Sequence, residues 1–163
     1  MASGDSIVVC APASNSPPAS NYATFDTRNA HLVLDFDDTT QEAAMFSGLL
    51  PRHYDGGGVT VYVHWMATSA TTGTVGLDIS FERMSDATTD LDSDSFATAQ
   101  TVTAATVPGT SGVVKVTNVA ITDGANMDST AVGEVFRLRV RRDVASDTAS
   151  GDAELLKVEI KET

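Results

Sequence analysis

The chain has 163 residues and carries 10 Lys and Arg against 22 Asp and Glu, a formal charge of −12 at pH 7. That length accommodates one hydrophobic core rather than two, and the acidic excess repels phosphate backbones and anionic lipid, so neither nucleic acid nor a membrane surface is an expected partner. The lone cysteine, Cys10, excludes an intrachain disulfide and a cysteine-rich zinc site.

Residues 1–29 contain Pro12, Pro17 and Pro18 among Ser and Asn, which break periodicity and remove ladder donors. They read as an extended arm, with residues 30–163 as the folded domain. Stretched out, the arm reaches on the order of 95 Å, far beyond a globule of this size. Within it Ser6 to Cys10 is β-prone, and Ile7, Val8 and Val9 are suited to adding a strand to a sheet edge of this chain or another. The start of the sequence lacks a basic, continuously apolar leader, so the expectation is a protein made in a cytoplasm. No stretch approaches the ~20 apolar residues of a membrane-spanning helix.

From His31 the apolar period is two. Leu32, Leu34 and Phe36 alternate with Val33 and Asp35, and a further strand is expected from Ala43 to Leu50. Val59, Val61, Val63 and Trp65 alternate with Thr60, Tyr62 and His64, and Val75, Leu77, Ile79 and Phe81 alternate with Gly76, Asp78 and Ser80. Two more strands are expected over 96–105 and 112–122, the second with a bulge near Asn118 where the parity changes from Val114 and Val116 to Val119 and Ile121. Phe136, Leu138 and Val140 oppose Arg137, Arg139 and Arg141, and Leu156, Val158 and Ile160 alternate with Lys157, Glu159 and Lys161. Turn signals at Asp55 to Gly58, Thr72-Gly73, Pro108 to Gly112, Asp123-Gly124 and Ser150 to Asp152 separate these runs. The pattern predicts an all-β, antiparallel two-sheet sandwich of about eight strands, a jelly roll.

Signatures of chemistry are sparse. Asp90, Asp92 and Asp94 alternate in a loop and suggest calcium, but Ser95 and Thr101 stand where an EF-hand loop needs Gly and Glu. His31, His53 and His64 lack metal spacing, Gly56 to Gly58 lack the Lys and helix of a phosphate loop, and no nucleophile elbow occurs. Asp35, Asp37 and Asp38 read as a polar strand face rather than a glycosidase pair. Neither an enzyme nor a cofactor is expected. The arginine row 137, 139 and 141 requires acidic neighbours: partners such as Asp35, Asp37, Glu82 or Glu159 across the strands, or the surface of another subunit. Trp65, Tyr54 and Tyr62 are the aromatic candidates for stacking on a sugar, with Trp65 in register with the core.

The run from Pro17 to Asn29, including Tyr22 and Phe25, together with Leu34 to Asp37, Pro51 to Gly58, Arg139 to Asp143, Asp147-Thr148 and Gly151 to Leu155, resembles small jelly-roll virion proteins of tailed bacteriophages. The resemblance implies a capsid decoration protein on the virion surface. Such a protein would be a homotrimer partnered by itself and by the major capsid protein, and would stabilise the shell through arm contacts. The alternative is a carbohydrate- or receptor-binding module on a tail fibre or similar appendage.

Overall fold

The computed structural model describes residues 4–163, which form two packed antiparallel sheets. In chain order the strands are β1 (Ser6–Cys10), β2 (Thr24–Arg28), β3 (His31–Phe36), β4 (Ala43–Leu49), β5 (Val59–Ala67), β6 (Thr74–Met84), β7 (Gln100–Thr106), β8 (Lys115–Ile121), β9 (Val135–Arg142) and β10 (Ala153–Glu162). One sheet runs β2-β3-β10-β5-β8 with β1 also on β10, and the other runs β4-β9-β6-β7.

The period-two runs place their apolar parity between the sheets. Phe36, Val59, Val61, Val63, Trp65, Val158 and Ile160 come from the first sheet, and Phe46, Leu77, Ile79, Phe81, Phe136, Leu138 and Val140 from the second. The rings of Phe81 and Phe136 meet at 5.1 Å between centroids. Trp65 is fully buried and its indole Nε1 donates to Thr117 Oγ1 at 3.1 Å, satisfying the one polar atom it brings inside.

Four features depart from the expected layout. The leading segment is folded into the domain rather than extended from it. Strand β1 pairs with β10, Cys10, Pro12 and Ala23 are buried, and Ile7 and Val8 pack against the core. The cause is the unfilled edge of β10, which a β-prone segment of the same chain satisfies without the cost of recruiting a second molecule. The expected division between residues 29 and 30 falls in the turn joining β2 to β3, so ten strands replace eight.

The bulge expected near Asn118 is absent: β5 and β8 pair without interruption from Val59 opposite Ile121 to Trp65 opposite Lys115. Val114 and Val116 face outward and remain half exposed, while Thr117 and Ile121 are buried on the inward parity. The register shifts lie elsewhere, including one in β10 between Leu155 and Lys157. Finally, β7 begins only at Gln100, and Arg142 continues the inward parity of β9 as a fully buried cation.

Candidate functional site

The arginine row lies on the outward face of the second sheet, where strand register sets Arg137 opposite Glu82, Arg139 opposite Ser80 and Arg141 opposite Asp78. Arg137 donates to both Glu82 carboxylate oxygens, and Arg141 donates through Nη2 to Asp78 at 2.7 Å. Phe96, which precedes β7 instead of belonging to it, lies over Arg137 and Arg139 at 5.0 and 4.6 Å. Arg139 has no carboxylate opposite it. Its Nη2 donates to Ser80 Oγ at 3.0 Å, its buried Nε finds no partner among the described residues, and burial followed by repulsion from Arg141 depresses its pKa. Cross-strand pairing therefore absorbs most of the row's charge, with Asp78 taking a part that sequence spacing had not assigned to it.

A second feature lies on the first sheet. Strand β10 pairs with β3 through Ala153–Leu155 and with β1 through Val158–Lys161, so Leu156 and Lys157 fall where one neighbour has left and the other has not begun. The register shift at this point marks a notch in the sheet. Ala11 and Pro12 form one lip and His31 and Leu32 the other, around a depression of about 250 Å³. It adjoins a larger one of about 520 Å³ through His31 and Leu156, and one of about 220 Å³ beside Phe25 through Leu32. Together they trace an elongated groove with apolar patches and polar rims, the form expected of a site for an extended ligand.

The β2 to β3 hairpin supplies much of this groove. Its two turn residues, Asn29 and Ala30, have φ of 45° and 65°, the sign a tight two-residue hairpin demands and one that Ala adopts only under strain. On either side stand Arg28 and His31. The Arg28 guanidinium is anchored through Nη1, which donates to Glu154 at 2.7 Å and to the carbonyls of Ala67 and Thr68 at 3.3 and 3.1 Å. Its other side packs against Gly112, where a Cβ would lie 2.8 Å from Nη2, 2.9 Å from Nε and 3.0 Å from Cζ. Gly112 has φ of 77°, so both its backbone conformation and this space favour the absence of a side chain.

Of the other expected interaction residues, Val9, Tyr22 and Phe25 are exposed by 61%, 45% and 54%, Pro17 is exposed, Pro18 is half-buried, and Ile7 and Val8 pack against the core. Asp90, Asp92 and Asp94 occupy an exposed turn in which Asp90 Oδ1 accepts the Asp92 amide. Among the described residues the carboxylates that converge closely enough to hold a cation are instead Asp37, Asp38 and Asp152, within 4.8 Å of one another. Burial and the first two of these groups raise the Asp152 pKa, whereas hydrogen bonds from Thr39 and Thr40 hold Asp37 down at about 2. Of the stacking candidates, Trp65 is core and Tyr54 is buried with its hydroxyl accepting the Gly58 amide at 2.7 Å. Tyr62 is half-buried, with the Lys161 ammonium 5.6 Å from its ring centre. No helix among the described residues is long and apolar enough to cross a membrane.

No protein-family model matches the sequence, and no curated protein matches it. The fold is similar to that of a part of the Clostridium thermocellum endo-1,4-β-D-xylanase 10B structure that contains the CBM22-1 and GH10 modules in complex with xylohexaose. The TM-score is 0.50 and the identity 14%, over 100% of this chain and 29% of that one. This chain thus spans under a third of that protein. The CBM22-1 xylan-binding domain of Paenibacillus barcinonensis Xyn10C gives a TM-score of 0.50 at 12% identity, over 99% and 96% of the two chains. A carbohydrate-binding module of Cellvibrio mixtus lichenase 5A in complex with cellotriose gives 0.46 at 11% identity, over 98% and 99%.

These similarities establish a β-sandwich of the jelly-roll type seen in carbohydrate-binding modules. They overturn the expectation of a capsid decoration protein. The similar structures above are or contain carbohydrate-binding modules, and the arm on which shell clamping depended is a pair of strands within the domain.

Proposed function

We propose that this chain is a non-catalytic carbohydrate-binding module that holds an extended glycan in the groove running from Phe25 past the β10 notch to Arg28. The observation that carries this reading is the groove itself: a chain of depressions lined by apolar Leu32, Leu156 and Met66 together with polar groups, with the exposed Phe25 ring at one end. Sugars present apolar C–H faces and a dense fringe of hydroxyls, and such a surface meets both needs. The ligands named for the similar folds, xylohexaose and xylan, are extended chains, which agrees with a groove rather than a closed pocket.

Binding without hydrolysis is the better reading of the same residues. Asp26 is the single carboxylate lining the three depressions, whereas most glycoside hydrolases place two across the scissile bond.

The test is affinity electrophoresis in gels containing soluble xylan, β-glucan or pectin. Retardation by at least one polymer is expected, with Phe25→Ala weakening it about tenfold, on the order of 1.4 kcal/mol, while leaving the melting temperature unchanged. Unretarded migration through every polymer would refute the proposal.

A further inference from the structure

We infer that the groove selects a carboxylate-bearing polysaccharide, with the outward edge of Arg28 as its anion-recognition point and Lys157 and His31 beside it. The inference rests on the carbohydrate-binding reading above and specifies its ligand class.

The Arg28 geometry is that of a preoriented fork. Among the described residues, all of its hydrogen bonds run through Nη1, to Glu154 and to the Ala67 and Thr68 carbonyls, which fix the plane of the guanidinium. The remaining edge, Nε with Nη2, presents two parallel N–H groups at the spacing of the two oxygens of a carboxylate. Gly112, which lines the largest of the three depressions, packs against this side of the guanidinium, where an added Cβ would come within 2.8 Å of Nη2, 2.9 Å of Nε and 3.0 Å of Cζ. The Gly112 amide is itself bonded to the Ala67 carbonyl at 3.0 Å, so the same backbone atom ties down both the guanidinium and the residue packed against it.

The charges along the groove agree. In a chain with more than twice as many acids as bases, the lining residues bring together Arg28 and Lys157 against Asp26 alone. Glu154 meets Arg28 from the opposite side and is only 3% exposed, so it steadies the cation without occupying the groove. The remaining acidic charge of the molecule is screened beyond a Debye length of about 8 Å at physiological ionic strength, so short-range contacts dominate at the groove. A neutral glycan would use the hydroxyl-binding capacity of this site and leave the fork without a charged partner. A uronate substituent or a uronic-acid backbone fills it.

The experiment compares the full chain on glucuronoxylan, on the same polymer after carboxyl reduction, on polygalacturonate and on dextran sulfate, by titration calorimetry and affinity electrophoresis. The expected result is binding to glucuronoxylan or polygalacturonate that weakens at least about tenfold on carboxyl reduction and is not reproduced by dextran sulfate. Arg28→Lys keeps a cation against Glu154 but loses the fork, and should remove most of the preference for the acidic polymer. Lys157→Gln, an exposed position, should reduce it several-fold with an unchanged melting temperature, which keeps the test valid if Arg28→Lys proves unstable. Equal affinity for native and carboxyl-reduced polymer would overturn the inference while sustaining the carbohydrate-binding proposal. Equal affinity for dextran sulfate would reduce the effect to bare polyanion attraction and overturn it as well. Absence of binding to every glycan would sink both.

Discussion

Arg142 is the residue on which the end of the sandwich depends. It is fully buried, donates through Nε to Asp147 at 2.6 Å, and reaches the carbonyls of Phe36, Gly151 and Ala149, joining the β3 terminus to the segment before β10. Arg142→Met would leave the Asp147 carboxylate buried without its counter-charge. Denaturant titration should show a loss of about 3 to 5 kcal/mol. Pairing it with Asp147→Asn should recover part of that loss, because the uncompensated charge is then gone. Asp35 behaves in the opposite sense. Burial first, and then the carboxylates of Asp152, Glu154, Asp26 and Glu42, push its pKa from 3.8 up to about 6. The folded state therefore holds this proton more tightly than the unfolded chain. The resulting stabilisation is complete below 3.8 and is lost as pH rises through about 6. Asp35→Asn should raise stability at neutral pH by about 1 kcal/mol, after allowance for partial solvent screening, and should have little effect at about pH 4. A variant less stable than the parent at neutral pH would contradict this account.

At the scale of elements, β10 organises the first sheet, since it pairs with β1, β3 and β5. Its two sequential partners on one side leave the notch at Leu156 and Lys157, so the groove follows from how the edge of one strand is divided. Strand β1 covers the C-terminal part of that edge and buries Cys10, with Ile7 and Val8 partly buried against the core. Burial also lifts the Cys10 thiol to about 11, so it stays protonated at neutral pH. Deleting residues 1–10 should therefore destabilise the domain by about 3 kcal/mol and expose a strand edge prone to pairing between molecules. Thermal melting and sedimentation of the truncated protein measure both effects. A dispensable arm would instead leave both unchanged.

For the molecule as a whole, the charge of −12 acts as a distributed self-repulsion that no single contact offsets. Added salt should stabilise the fold at neutral pH by about 0.5 kcal/mol between low and physiological ionic strength, because screening relieves that repulsion more than it weakens the partly buried arginine pairs. Chemical denaturation at matched pH and varied sodium chloride provides the measurement. The same screening should weaken glycan binding at Arg28, so stability and affinity are expected to move in opposite directions with salt.

Alternation alone implies the two-sheet architecture, because runs such as Val59 to Trp65 and Phe136 to Val140 admit one burial pattern per strand. It also made the pairing of Arg137 with Glu82 foreseeable, since like charges spaced two apart on a strand need acidic neighbours. Tertiary contact settled residues 4–29, whose prolines conceal two short strands that form because β3 and β10 offer them edges. It likewise decided the groove. Arg28, Gly112 and Leu156 are far apart along the chain and share no motif, and they meet through a register shift and a strained hairpin turn. Alternation is a local property that each strand carries with it, whereas a site assembled from the ends of several strands exists only once their registers are fixed against one another.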